Sequence, residues 1–311
     1  MSYCNECDNH DACDTGCIKG AALPGEKEQK YVSPHAGILI TGGTGFLAAG
    51  IVRHLLANGE QRIRLFSRGE HAQARMQAEF GENDRVGYFI GDVRDQERLE
   101  RAMHRVDVVI HAAALKRIEV GHYNPDEMVK TNVLGSMNVL EAAKRARVRR
   151  VILVSSDKAF QPVSPYGLSK AMAEHLFLAA NRMNLGPRAV VCRYGNVAGS
   201  TGSVIPSWRD YYITQERPVP VTDPDCTRFW MTLEQAVALV VSAMDGDEEL
   251  LIPTLPAYRL GDLAEAMNAM AVDVKGLGSW EKMHESMDFG NRSDTARRMS
   301  VGELREALTH V

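Results

Sequence analysis

The sequence lacks any run of about 18 apolar residues, so no helical membrane span is expected. It also lacks an excess of positive charge. Its 36 Lys and Arg stand against 40 Asp and Glu, a formal net charge of −4, which argues against a surface built to neutralise nucleic-acid phosphates. The first 35 residues mix Asp, Glu, Lys and Cys around no apolar core, which excludes a secretory signal and makes a cytoplasmic location the expectation. Internal repeats and low-complexity tracts are missing too. What is present is ordinary for a folded chain: 45% hydrophobic and 24% charged residues, enough apolar surface to offset the entropy of ordering. A length of 311 residues suggests two domains, at about 150 residues each.

Cysteine is unevenly spread. Cys192 and Cys226 lie far apart and read as reduced, partly buried thiols. Cys4, Cys7, Cys13 and Cys17 crowd the start, with His10 midway. The pairs suit zinc, although the gap between them is far shorter than in zinc fingers, and the run also has an iron–sulfur spacing. A reduced tail without metal is the alternative. Residues 1–35 therefore read as a Cys-rich appendage and a linker that ends near Pro34.

From Gly37 apolar runs alternate with helical stretches. Strands are expected at 37–41, 63–66, 86–90, 106–112, 151–155 and 188–193, and helices at 46–58, 70–80, 94–103, 125–146 and 165–184. Asn124 can cap the helix that begins at Pro125, with Asp126 and Glu127 at the positive end of its dipole. Near-continuous apolar strands alternating with amphipathic helices predict an α/β fold, a doubly wound parallel sheet over residues 36–196. Beyond Asn196 the alternation loosens into a smaller lobe, 197–311, with short strands at 219–221 and 250–252, helices at 233–244, 261–270 and 301–308, and room for strands to interleave between the two.

The first strand runs into Gly42-Gly43-Thr44-Gly45-Phe46-Leu47-Ala48, a Gly-x-x-Gly-x-x-Ala spacing at the start of a helix. Gly42 permits the tight turn, Gly45 lets a pyrophosphate approach the backbone, and Ala48 lets helix and strand pack closely. The second strand ends in Ser67-Arg68 in place of the Asp or Glu of NAD-preferring sites. A hydroxyl and a guanidinium suit a 2′-phosphate, which favours NADP, unless Arg68 is only a solvated loop charge. Asp92 is placed for the adenine edge, and Ala112, Ala113 and Ala114 leave room for close approach. Tyr166 and Lys170, four apart, share a helix face, and an ammonium beside the phenol lowers its pKa toward a usable base. Asp157 and Lys158, after Ser155-Ser156 at a strand end, add a carboxyl that can donate a proton and an amine that can accept one.

With these motifs the chain resembles an extended short-chain dehydrogenase/reductase, most similar to the configuration-inverting UDP-N-acetylglucosamine 4,6-dehydratases. The carrying strings are Thr41-Gly42-Gly43-Thr44-Gly45, Gly91-Asp92-Val93, His111-Ala112-Ala113-Ala114-Leu115-Lys116, Lys130-Thr131-Asn132, Ser156-Asp157-Lys158-Ala159, Tyr166 with Lys170, Arg193-Tyr194-Gly195-Asn196, Gly202-Ser203-Val204-Ile205-Pro206 and Thr227-Arg228-Phe229-Trp230. The resemblance implies a Rossmann fold that holds NADP through Gly42, Thr44, Gly45, Phe46, Leu47, Ser67, Arg68, Asp92, Val93, Ala112, Ala113, Ala114, Lys116, Asn132, Ser155, Tyr166 and Lys170. It implies a nucleotide sugar on Lys116, Ser156, Asn196, Val204 and Arg228. Tyr166 and Lys170 would drive oxidation at sugar carbon 4, Lys158 would take the proton from carbon 5, and Asp157 would help water leave from carbon 6. Return of the hydride to carbon 6 and protonation of carbon 5 from the opposite face would give the inverted product. Relatives that retain configuration carry an N-terminal membrane region, and none is read here, which favours the inverting branch. Relatives also self-associate, so a homo-oligomer is expected. An epimerase on the same scaffold, without need of Asp157 and Lys158, and a non-catalytic NADP-binding sensor or scaffold are the competing readings. One departure stands out: where the family has an arginine this chain has Gly278, and Lys275 or Trp280 are the residues that could compensate by charge or stacking.

Overall fold

The computed structural model describes residues 37–59, 61–184 and 186–311. The Cys4, Cys7, Cys13 and Cys17 metal expectation lies outside them.

Gly37–Thr41 (β1) is buried at every position, as a parallel strand covered on both faces must be. It leads into Phe46–Asn58 (α1), then Arg62–Ser67 (β2), Glu70–Phe80 (α2), Val86–Ile90 (β3), Gln96–Ala102 (α3) and Val108–His111 (β4). Three helical pieces follow, Ile118–Tyr123 (α4), Pro125–Met128 (α5) and Gly135–Arg145 (α6), with a π-helical turn at Val129–Leu134 between the last two. Arg150–Val154 (β5), Pro165–Arg182 (α7) and Arg188–Cys192 (β6) complete the first pass. The chain then builds Asn196–Val197 (β7), Val204–Tyr211 (α8), Val219–Val221 (β8), Thr227–Met231 (β9), Leu233–Ser242 (α9), Leu250–Leu251 (β10), Ala257–Arg259 (β11), Leu260–Ala266 (α10), Val272–Val274 (β12) and Val301–Leu308 (α11).

The main sheet has seven strands in the order β10-β6-β5-β4-β1-β2-β3, and every pairing in it is parallel. The order reverses between β1 and β4, so helices leave β1 and β4 toward opposite faces and a crevice opens at the carboxyl ends of these strands. Alternate residues of β1 serve the two faces. Ile38 and Ile40 pack with α1 and α9, while Leu39 packs with residues of α3, α6 and α7. A third apolar cluster, around Trp208, Trp230, Tyr258 and Leu263, fills the second lobe beneath the small sheets β11-β9-β7 and β12-β8. The two lobes interleave: β10 returns to pair with β6, and α9 packs on α1.

Two local expectations change. Asn124 does not cap α5; its side-chain amide points back and donates to the Val120 carbonyl at 2.9 Å, closing α4, a helix too short to show in the hydrophobic pattern. The expected helix 125–146 forms but carries the π-helical turn, which places Asn132 against the loop after β4. Cys192 and Cys226 are buried free thiols, as read. Among the described residues no helix is long and apolar enough to cross a membrane, and no group of His, Cys, Asp and Glu is arranged to hold a metal ion.

Candidate active site

A cleft of about 630 Å³ lies along the carboxyl ends of the sheet strands. Its floor is the turn after β1. Gly42 sits at φ +67°, and a Cβ there would come within 2.8 Å of the Ala113 backbone nitrogen, so only glycine lets β1 and β4 exit side by side. Gly45 ends the turn in an extended conformation and precedes α1, whose first turn has no side-chain cap and no acidic residue. That leaves uncompensated N–H groups and the positive end of a helix dipole facing the cleft. Thr131, buried in the cleft wall, has a hydroxyl with no protein partner. A floor of free donors and an unpartnered wall hydroxyl fit a dinucleotide.

Every residue expected to touch the cofactor lines this cleft except Asn132. Asn132 is buried behind it and works on the backbone: its carbonyl oxygen accepts from Leu115 N at 2.8 Å, and its amide donates to Leu115 O and to Ser169 Oγ, both at 2.9 Å. Ser169 in turn donates to the Tyr166 carbonyl at 2.8 Å. Asn132 thus sets the loop after β4 and the first turn of α7 relative to each other and does not face the cleft. His111 does similar work. Burial, with Lys170 nearby, holds its ring neutral with a pKa of about 3, and the ring joins Thr41 at 2.7 Å to Ser136 at 3.1 Å.

At the far wall of the cleft, Ser67 accepts a hydrogen bond from Gln73 at 3.0 Å. Arg68 stands 3.8 Å from Asp92 with more than half its side chain exposed. Burial pushes the Asp92 carboxyl up, but Arg94 and Arg68 outweigh it and hold the group below the usual range.

The chemical residues gather where β5 ends. Ser164 caps α7 by accepting from Gly167 N at 3.1 Å, which aims Tyr166 and Lys170 into the cleft. Gly167 must lack a Cβ, because one would overlap the Lys158 carbonyl oxygen. The Tyr166 phenol is pushed up by burial and drawn down by Lys158 and by a hydrogen bond with Ser156, with a net rise. The expected help from Lys170 is not the cation it feels. Lys170 donates instead to the Val154 carbonyl at 2.6 Å, and burial lowers its own pKa to about 8. Ser155 is committed to the scaffold, donating to Glu174 at 2.6 Å beside the buried Glu174–Arg193 ion pair.

A second pocket, of about 340 Å³, opens from the smaller lobe and is lined by Val204, Arg228, Tyr258, Trp280, Lys282 and Glu285 among others. The two cavities share Ile118, Glu119, Lys158, Asn196, Gly202 and Ser203. Lys116 and Ser156 line the first, Val204 and Arg228 the second, and Asn196 both, so all five expected substrate residues stand on one wall or the other. Of the residues that could offset Gly278, Trp280 is on the pocket wall, its ring edge-on to His122 at 4.1 Å, while Lys275 is paired with Asp273 and off the wall.

Lys158, on the shared wall, donates to Asp157 Oδ1 at 3.1 Å and also lies 3.2 Å from Glu285 Oε1. Asp157 is pushed up by burial although Lys158 pulls it down. Burial alone would lower Lys158, but Asp157 and Glu285 reverse this and raise it. Burial likewise raises Glu285, yet Lys158, Arg228 and Lys282 hold it at about 2. The sequence reading assigned no role to Glu285, nor to Thr131, Glu119 or Lys282. The only available signal for Glu285 was its place in Met283-His284-Glu285, about 125 residues beyond the lysine it meets in space.

Comparison with known proteins agrees with this architecture. Residues 38–303 match the family model described as polysaccharide biosynthesis protein. The inverting UDP-N-acetylglucosamine 4,6-dehydratase of Campylobacter jejuni is 43% identical over 257 residues, 80% of this chain and 76% of the relative. A UDP-glucose 4-epimerase of Rickettsia prowazekii is 38% identical over 263 residues, again 80% and 76%. The X-ray structure of Pen from Bacillus thuringiensis superposes with a TM-score of 0.83 at 32% identity, covering 89% of this chain and 98% of that one. A cleft floored by a glycine turn, a strand-end acid and amine, and similarity along most of the sequence converge on one assignment: the chain belongs to the polysaccharide biosynthesis protein family of extended short-chain dehydrogenase/reductases.

Proposed function

We propose that the protein is a nucleotide-sugar 4,6-dehydratase that acts on UDP-N-acetylglucosamine with inversion at carbon 5 and prefers NADP. The observation that carries this reading is the position of Lys158, on the wall common to the two cavities with Asp157 beside it. A group there can act on a sugar seated in the second pocket while that sugar also reaches the cleft.

The cleft floor from Gly42 to Leu47, with Ser67, Arg68, Ala112–Ala114 and Lys170, would hold the nicotinamide dinucleotide, which when bound supplies reversible oxidation of the sugar at carbon 4 and reduction at carbon 6. Tyr166 takes the proton of the carbon 4 hydroxyl, with Ser156 fixing its phenol. The ketone so formed acidifies carbon 5. Asp157 and Lys158 then work as one acid–base unit, the amine removing the carbon 5 proton and the carboxyl protonating the departing hydroxide. Arg228, from β9, faces the second pocket as a bidentate partner for the diphosphate. Ser67 and Arg68 on the cleft wall support the choice of NADP, because no carboxylate ends β2 to repel a 2′-phosphate. Self-association, expected from the resemblance, would use the half-exposed Leu134, Met137, Leu168 and Met172 on adjoining helices, with a second copy as the occupant. Sedimentation of Leu168→Glu against wild type tests that face.

Incubation of the purified protein with UDP-N-acetylglucosamine, followed by mass, tests the main reading. Loss of one water supports it. An unchanged mass with a new sugar isomer supports the epimerase reading, which the Rickettsia prowazekii relative favours. An unchanged mass with no new isomer would remove both readings.

A further inference from the structure

Lys158 has one acidic neighbour more than the elimination needs. Its ammonium stands between Asp157, at 3.1 Å, and Glu285, at 3.2 Å, and both carboxylates are almost wholly buried. Behind Glu285 the row continues: Glu285 Oε2 lies 3.1 Å from Lys282, which also donates to the Phe160 carbonyl at 2.9 Å. Glu285 is itself held firmly. Its backbone N–H donates to Ser293 Oγ at 2.8 Å, and Ser293 is joined to Thr227 of β9 at 2.6 Å. The groups that face Lys158 are thus Asp157 from its own turn, Glu285 from the C-terminal loop, Arg228 from β9, Tyr166 from α7, Tyr258 from β11 and the Asn196 amide oxygen at 3.5 Å.

Resting on the dehydratase reading above, we propose that Glu285 is a positioning residue for the elimination: with Asp157 it clamps the Lys158 ammonium in the shared wall, and with Lys282 behind it, it leaves Asp157 as the one carboxylate to which Lys158 can pass its proton. An ammonium cannot remove a proton from carbon 5, so Lys158 must first become an amine. Two acceptors lie within reach. Glu285 has two ammonium groups at ion-pair distance, Lys158 at 3.2 Å and Lys282 at 3.1 Å, and Arg228 adds to their pull on its carboxyl. Asp157 has one cation within ion-pair distance among the described residues, Lys158 at 3.1 Å. Transfer from Nζ to Asp157 converts an ion pair into a neutral amine and a carboxylic acid. The amine takes the carbon 5 proton, and that C–H electron pair becomes the double bond between carbons 5 and 6. The carbon 6–oxygen bond breaks, and the leaving hydroxide departs as water with the proton of Asp157. Lys158 is again an ammonium and Asp157 a carboxylate, so no outside donor is consumed.

Glu285 raises the proton affinity of both members of the Asp157–Lys158 couple. Replacing it by Gln keeps the shape and removes the charge. The test has two arms: the titration of the Lys158 ammonium by NMR of lysine-labelled protein, and the pH profile of water loss from UDP-N-acetylglucosamine. In Glu285→Gln both limbs of the profile and the Lys158 titration move toward acid, by about one to three pH units for a close like-charge or ion-pair neighbour. Lys282→Gln moves them toward alkali, and Glu285→Asp restores much of the wild-type position. A purely structural role would lower the rate and leave the limbs in place. Identical Lys158 titration in wild type, Glu285→Gln and Lys282→Gln overturns the proposal. A wild-type protein inert toward the sugar would instead sink the dehydratase reading, and the titration arm would still decide on Glu285.

Discussion

The turn that ends β1 floors the cleft, the charged row that starts after β5 runs from the cleft wall into the second pocket, and the two are made of opposite materials. The first is nearly side-chain-free: glycines, an uncapped helix start and backbone donors. The second is all side chain, with Asp157, Lys158, Glu285 and Lys282 packed at ion-pair distance. A backbone site needs only that nothing stand in the way, so it is encoded by small residues close together in the chain. A charged site at low exposure needs each charge answered by another, and the answering residues come from wherever the fold can deliver them.

The comparison predicts where each site breaks. The largest effect belongs to Lys158→Ala, which removes the cation shared by two buried carboxylates. Water loss from the sugar falls by about 10²–10⁴-fold, as loss of a general acid–base group does, and thermal stability drops as well, while nicotinamide dinucleotide affinity is kept; mass analysis, melting and cofactor titration read the three. Gly42→Ala does the converse. With φ +67° and a 2.8 Å clash against Ala113, it weakens cofactor binding and destabilises the fold by about 1–3 kcal/mol, measured by denaturant unfolding. Arg68→Ala is milder, because the guanidinium is largely exposed: the NADP over NAD preference falls about tenfold or more, with NAD affinity unchanged in parallel titrations.

The smallest effect concerns pH. Burial lowers Lys170 to about 8 from an ordinary 10.5. Between these values the unfolded chain binds more protons than the folded one, so Lys170 adds stability as pH rises from about 8 and withholds it below. Lys170→Met should flatten that rise in melting temperature measured across the interval.

The same contrast explains what was legible in the sequence. β1, β3, α1 and α2 were readable to the residue and the other strands of the parallel sheet to within two residues, since each is a local run of one periodicity. The phosphate turn was readable because its three small residues lie within seven positions. Tyr166, Lys170, Asp157 and Lys158 could be singled out by spacing, but not the cation that acts on the phenol. Lys170 turns to the Val154 carbonyl, and Lys158 takes the place expected of it. Asn132, expected at the cofactor, holds the backbone from behind the cleft, in a π-helical turn that leaves no mark in an apolar pattern. β7, β9 and β11 were missed for a related reason: pairing with partners distant in the chain makes them strands, and β7 and β11 are only two and three residues long.

The return of β10 to the main sheet bears on how the molecule is born. As the chain leaves the ribosome, β1 to β6 can pair in turn, but the outer edge of β6 stays bare until Leu250 and Leu251 emerge. Arg150, buried in β5, waits longer still, for the Ala243 and Gly246 carbonyls 93 and 96 residues further on that accept its guanidinium. For some fifty residues of synthesis the nascent protein carries an open parallel edge and an unanswered interior cation, a window in which chaperone capture or edge-to-edge aggregation competes with completion.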